Sequence, residues 1–204
     1  MSFRAQSRNL LIIFTRNPEL GKVKTRLAKS VGDQKALDIY KFLLQRTKEV
    51  TLQVDCDKTV FYSQEIAQND IWNLEFSKEL QTGNDLGEKM QNAFSSAFEK
   101  GYEKVAIIGS DLYDLEPHHI SEAFEKLSSN DVVIGPAQDG GYYLLGLNEV
   151  YPNIFQNKEW GTSTVRKDTL NDLQKVSLHL LEELNDVDVI DDIKDHSAFT
   201  HFLQ

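Results

Sequence analysis

The sequence predicts an α/β fold, a single-domain, mostly parallel sheet with helices on both faces. Two observations predict it: short continuous apolar runs of strand length, and amphipathic stretches of helical period lying between them. No Pro/Gly/Ser-rich linker, internal repeat or low-complexity tract divides the chain, so one domain is expected over residues 1–204.

The first strand is expected at Leu10–Thr15, an apolar run suited to burial on both faces of a parallel sheet. Ala36, Tyr40, Leu43, Leu44 and Thr47 then fall on one helical face. A second strand is expected at Thr59–Ser63 and a weaker one at Leu74–Phe76. Leu86, Met90, Phe94, Ala97 and Phe98 mark the next helix, which Asp85 starts as N-cap with Glu88 three residues on. Val105–Gly109 is a third strand, and Pro117 opens a helix that faces Ile120, Ala123, Phe124 and Leu127 inward. Val132–Gly135, Tyr142–Leu147 and a weaker Val176–Leu181 complete the sheet.

In open sheets of this kind, ligands sit beyond the carboxyl ends of the strands. The loop after the first strand carries Arg16, Lys22, Lys24, Arg26 and Lys29 against one acid, Glu19, in a chain whose net charge is −10. Such a local reversal of charge points to a bound anion. Gly21 permits a tight turn, and Thr25 is placed to start a short helix whose free amides favour a phosphate. A solvated basic turn is the plainer reading. The spacing of the P-loop and of the dinucleotide fingerprint is absent.

A second site is expected at Gly109-Ser110-Asp111. A carboxylate where a strand ends points into the crevice and can hold Mg²⁺ or Mn²⁺, which neutralises a diphosphate. Asp114 is read as a turn cap or a residue that orients water. In the third, Asp139-Gly140-Gly141-Tyr142, a hairpin turn competes with a site where glycines let a ligand approach and Asp139 acts on sugar hydroxyls or on the nucleophile. Trp160 and Thr162 precede a further helix, the indole serving as core or as an acceptor platform. The acidic tail 182–195 reads as a solvated face in which Asp188 caps a helix start with Asp191 behind it. One of its carboxylates is a candidate second metal ligand.

Composition narrows the function further. An acidic chain of pI about 5.0 disfavours nucleic acid held by general phosphate attraction. The apolar run Leu10–Phe14 is far shorter than the ~20 residues of a membrane span, and Met1–Arg8 lacks the features of an export signal. A single cysteine, Cys56, excludes an internal disulfide framework, and a cytoplasmic protein acting on small molecules is expected. The five histidines show no zinc-protease spacing and are expected to be structural or exposed.

Five ordered segments, Phe14–Pro18 with Gly21–Leu27, Gln81–Glu88, Gly109–Asp111, Asp139–Tyr142 and Trp160–Thr162, resemble a bacterial family of nucleotide-diphospho-sugar transferase-like proteins of the glycosyltransferase A fold. The likeness spans nearly the whole chain. It is similar, more distantly, to guanylyltransferases acting on phospholactate or molybdopterin. The resemblance implies a metal-dependent transferase that moves a sugar from a nucleotide sugar to a small acceptor. The alternatives are nucleotidyl transfer from an NTP with release of pyrophosphate, and a non-catalytic nucleotide-binding module.

By that resemblance Arg16, Lys24 and Arg26 hold the donor's phosphates, with Gly21, Lys22 and Thr25 beside them. Gly83 and Asp85 border the nucleotide, and Asp111 with Asp188 holds the divalent metal. Asp139 joins Asp111 as a catalytic candidate, and Gly140, Gly141, Tyr142, Trp160 and Thr162 fall to the acceptor or sugar. Tyr113 stands where the family has proline, and Val189 where it commonly has threonine. A looser turn after Asp111 is expected.

Overall fold

The computed structural model describes residues 8–72 and 74–204. Most of the stretch Met1–Arg8, judged above for export features, lies outside them. Seven strands form one sheet: β1 (Asn9–Thr15), β2 (Asp57–Tyr62), β3 (Ser77–Leu80), β4 (Lys104–Ile108), β5 (Val132–Pro136), β6 (Tyr142–Leu147) and β7 (Leu178–Leu180). Their order is β3-β2-β1-β4-β6-β5-β7. Only β6 runs against its neighbours β4 and β5, and the remaining described pairings are parallel.

The helices lie on both faces as expected. Odd residues of β1, Leu11 and Ile13, pack with Tyr40 and Leu44 of α2 (Asp33–Leu52) and Ile120 and Phe124 of α4 (Pro117–Lys126). Even residues Leu10 and Ile12 pack with Met90 and Phe94 of α3 (Leu86–Glu99) and with Phe155 of the 3-10 turn Pro152–Phe155. This is the period-2 division of a strand buried on both sides. A third cluster joins Leu27 of α1 (Thr25–Val31) and Ile39 and Leu43 of α2 to Val187, Ile193 and Phe199. The acidic tail is therefore docked through Leu184, Val187 and Ile193, with Asp186 and Asp188 only partly exposed, which corrects the expectation of a plain solvated face.

Two strand expectations need correction. Leu74–Phe76 is not a strand: Phe76 is buried with Trp72, their rings 5.1 Å apart, while Leu74 is fully exposed. The edge strand β3 follows one residue later as the mostly polar Ser77–Leu80, which pairs with β2 and leaves its other edge unpaired. An edge needs no apolar run, so that criterion could not find it. The candidate Val176–Leu181 shortens to three residues, again at an edge.

The sheet order reverses between β1 and β4. Chain order runs outward from β1 through β2 to β3 on one side, and through β4 on the other, so the loops leaving β1 and β4 diverge and open a crevice.

Candidate functional site

The basic loop leaves β1 under tight control. The Tyr40 phenol, buried on α2, accepts a hydrogen bond from the Arg16 amide at 2.9 Å and lies 3.1 Å from the Arg16 carbonyl. It also meets Thr15 Oγ1 and Ser110 Oγ, joining the ends of β1 and β4. Asn17 anchors the next step by donating to the Glu65 carbonyl and accepting from the Gln64 amide. Gly21 turns the loop at φ +73°. Lys24 then adopts φ 47°, ψ 44°, a left-handed conformation uncommon outside glycine and asparagine, and α1 starts at Thr25 without a side-chain cap.

That backbone turn sends Lys24 inward. Its ammonium donates to Asp111 Oδ2 at 2.7 Å and to Asp188 Oδ1 at 3.0 Å, with its side chain only 5% exposed. Arg26 Nη1 reaches the other oxygen of Asp188 at 3.1 Å. Burial lowers the pKa of Lys24, but Asp111 and Asp188 outweigh it and hold the ammonium above its ordinary range. Burial likewise raises Asp111, and Lys24 with Arg16 outweighs that effect and leaves its carboxyl below the usual range. Two carboxylates thus converge on one cation, the Lys24 ammonium, and their oxygens are hard donors of the kind a divalent metal takes. The donor set fits Mg²⁺ or Mn²⁺.

Asp188 is free for this role because another residue caps the turn. The Asp192 carboxylate accepts from the Asp188 and Val189 amides at 2.8 and 2.7 Å, so neither Asp188 nor Asp191 is the cap. Asp114 is drawn away from the crevice and lies 3.4 Å from His196. The turn after Asp111 is not loose either. Tyr113 stacks on Phe42, meets Phe199 and His196 edge-on, and lies under the Arg46 guanidinium, which donates to the Tyr113 carbonyl at 3.2 Å.

The hairpin reading of Asp139 holds. β5 and β6 are antiparallel and Asp139 Oδ1 accepts from the Gly141 amide at 2.8 Å, closing the turn between them. Gly140, at φ +91°, has no room for a Cβ because the Ser163 backbone lies against it. The close approach at Gly140 is therefore by the chain itself rather than by a ligand, a correction to the expectation drawn from the paired glycines. Asp139 nonetheless borders the crevice with Asp111 and Asp186.

The crevice has two continuous parts. A cleft of about 750 Å³ is lined by Arg16, Lys22, Lys24, Thr25 and Arg26 together with Asp111, Asp139, Asp186 and Asp188. A smaller cavity of about 180 Å³ opens from the same carboxylates and is lined by Gly141, Tyr142, Trp160 and Thr162 among others. Trp160 serves as both packing and wall, since Gly87 lets the indole lie against the first turn of α3. Gly21, Gly83, Asp85 and Gly140 line neither space. Asp85 is the N-cap of α3, accepting from the Glu88 amide at 2.9 Å, and Glu88 in turn accepts from the Asn84 amide.

Sequence reasoning did not single out Asp186, Tyr40 or Ser110. The carboxyl of Asp186 is pushed up to about 6 by burial and by Asp111, Asp188 and Asp139 around it. The signal was available, because Asp186 and Asp188 follow the short strand β7 at its carboxyl end. Of the histidines, His119 accepts from the Glu116 amide through Nδ1 and faces Glu182 at 3.7 Å, a structural role at the start of α4.

The family described as "Uncharacterized protein conserved in bacteria (DUF2064)" matches residues 45–162. A solved structure from Desulfovibrio desulfuricans G20, described as a "putative nucleotide-diphospho-sugar transferase", superposes with a TM-score of 0.86 at 31% identity, covering 95% of this chain and 90% of that one. A 2-phospho-L-lactate guanylyltransferase of Methanocaldococcus vulcanius is 25% identical over 161 residues, which are 77% of this chain and 68% of the relative. The manganese complex of a Mycobacterium tuberculosis H37Rv protein shares the fold, with a TM-score of 0.59 at 13% identity over 93% of this chain and 97% of that one.

Proposed function

The chain belongs to the bacterial family DUF2064 and has the nucleotide-diphospho-sugar transferase fold, and on that premise we propose that it is a metal-dependent glycosyltransferase using a nucleotide-sugar donor. The observation that carries this reading is the convergence of Asp111 and Asp188 on one cation beside the basic loop, at the point where the sheet order reverses. Asp111 and Asp188 would hold the divalent metal, which when bound screens the diphosphate and stabilises the leaving group.

Arg16, Lys22 and Arg26 would bind the donor phosphates. Lys22 is exposed and paired with Glu19 at 2.6 Å, so it exchanges one anion for another at little cost. Asp139 would take the acceptor proton. The acceptor oxygen bonds to the anomeric carbon as the bond from that carbon to the diphosphate oxygen breaks, the nucleoside diphosphate leaving with the electron pair. The rigid hairpin at Asp139 fixes that carboxylate without help from the ligand. A cytoplasmic setting, in which the buried Cys56 stays a thiol, completes the reading.

A second reading, nucleotidyl transfer from an NTP to a small acceptor, is favoured by the guanylyltransferase relative. Product analysis with Mn²⁺ and matched nucleotide sugars and NTPs separates them. Release of nucleoside diphosphate from the sugar donor supports glycosyl transfer, and pyrophosphate from the NTP supports the second reading. Turnover of neither donor, across the common bases, overturns both.

A further inference from the structure

The two parts of the crevice differ in charge. Among the described residues, every lysine and arginine bordering them lies in the larger cleft, from Arg16 to Lys89. Among the described residues, the lining of the 180 Å³ cavity has no lysine, arginine or histidine, and its charged groups are Asp111, Asp139 and Asp186. Its remaining wall is apolar and aromatic, built chiefly from Leu112, Leu115, Val165, Tyr143 and Trp160.

The fold maintains this wall deliberately in physical terms. The Tyr143 ring lies over Gly135, where any Cβ would collide with it, and the Tyr143 hydroxyl donates to the Glu182 carbonyl at 3.1 Å. Trp160 is seated on Gly87 in the same manner. The volume lies below the roughly 300–1,000 Å³ of drug-sized sites, so the occupant is a fragment-sized molecule. Lys24, 2.7 Å from Asp111, offsets that carboxylate from outside the wall, so an anionic occupant would meet Asp139 and Asp186 with no cation among the described residues that line the cavity. A metal held by Asp111 and Asp188 would neutralise one of the three and leave Asp139 and Asp186.

Resting on the transferase reading above, we propose that this cavity receives the acceptor, and that the acceptor is a small alcohol or amine with an apolar body and no phosphate or carboxylate. The carboxylates accept hydrogen bonds from its hydroxyl or ammonium group, and the Tyr143 and Trp160 rings cover its apolar part, a combination that also favours a cation over their faces. Selectivity against anions is built into the wall, not into the metal.

The test uses the full chain and four ligands that each contain four carbons: 1-butanol, butylammonium, butyrate and butyl phosphate. Binding is read by saturation-transfer NMR, with manganese-free Mg²⁺ buffer to avoid broadening, and UDP-glucose and GDP-mannose are titrated separately. Butanol and butylammonium are expected to bind at least tenfold more tightly than the two anions. In Asp186→Asn and Asp139→Asn, run side by side so that misfolding of one leaves the other, the preference for butylammonium over butyrate is expected to shrink at least threefold. Preference for butyrate or butyl phosphate, or binding of none of the four while a nucleotide sugar binds, overturns the acceptor class alone. An intact amine preference with no nucleotide bound under any condition overturns the transferase reading and the acceptor role with it.

Discussion

The Lys24 ammonium lies 2.7 Å from Asp111, a residue 87 positions away, and the contact ties the loop after β1 to the end of β4 across the mouth of the crevice. Asp188 closes the same cation from the tail at 3.0 Å. Without Lys24, Asp111 would lose its one hydrogen-bonded cation among the described residues and Asp188 would keep only the exposed Arg26.

Lys24→Met should therefore destabilise the metal-free protein by about 1–3 kcal/mol, the order expected when a charged hydrogen-bonding partner is lost from a partly exposed cluster. It should also increase the stabilisation given by Mn²⁺, because a competing cation has gone. Thermal unfolding with and without Mn²⁺ measures both. A smaller Mn²⁺ shift in the variant than in wild type would place the metal elsewhere.

Asp111→Asn should weaken metal-dependent nucleotide binding by tenfold or more, and Asp114→Asn should leave it near wild type. Asp114 faces His196 and not the crevice. Calorimetry with a nucleotide sugar and Mn²⁺ distinguishes them, and equal losses in the two variants would remove Asp111 from the metal site.

Asp139→Asn keeps a side-chain oxygen to accept from the Gly141 amide, so the hairpin should persist. If the carboxylate takes the acceptor proton, turnover should fall by about 10²-fold or more at nearly unchanged nucleotide affinity. Equal turnover would return Asp139 to a turn residue.

Gly140→Ala should be costly although it adds one methyl group. The position has φ +91° and the Ser163 backbone fills the space, so both backbone strain and overpacking apply, together about 2–4 kcal/mol. Chemical denaturation checks this, and a loss below 1 kcal/mol would show that the 159–164 loop yields freely.

Cys56 should resist thiol reagents in the folded state. Burial, against a smaller opposing effect of Lys58, pushes its thiol from 9.0 up to about 11. The folded chain holds this proton more tightly than the unfolded chain, so the group's contribution to stability is complete below pH 9 and is lost as pH rises through 11. Labelling at pH 8 should be slow natively and fast in denaturant. Rapid native labelling would contradict the burial.

The sequence by itself determined the elements whose signal is local. The apolar runs of β1, β4, β5 and β6 mark strands buried on both faces and the Asp85 and Glu88 spacing marks the start of α3, because each depends on neighbours within a few residues. Only the tertiary structure decided which charges meet. Lys24 reads in sequence as one more phosphate-binding cation, yet a left-handed backbone turn and the docking of the tail through Val187, Ile193 and Phe199 place it between Asp111 and Asp188. Asp186 was one acid among many until that docking buried it beside three others. The edge strand β3 and the capping by Asp192 were hidden for the same reason: pairing partners and desolvation are set by packing between distant segments, and no local pattern encodes them.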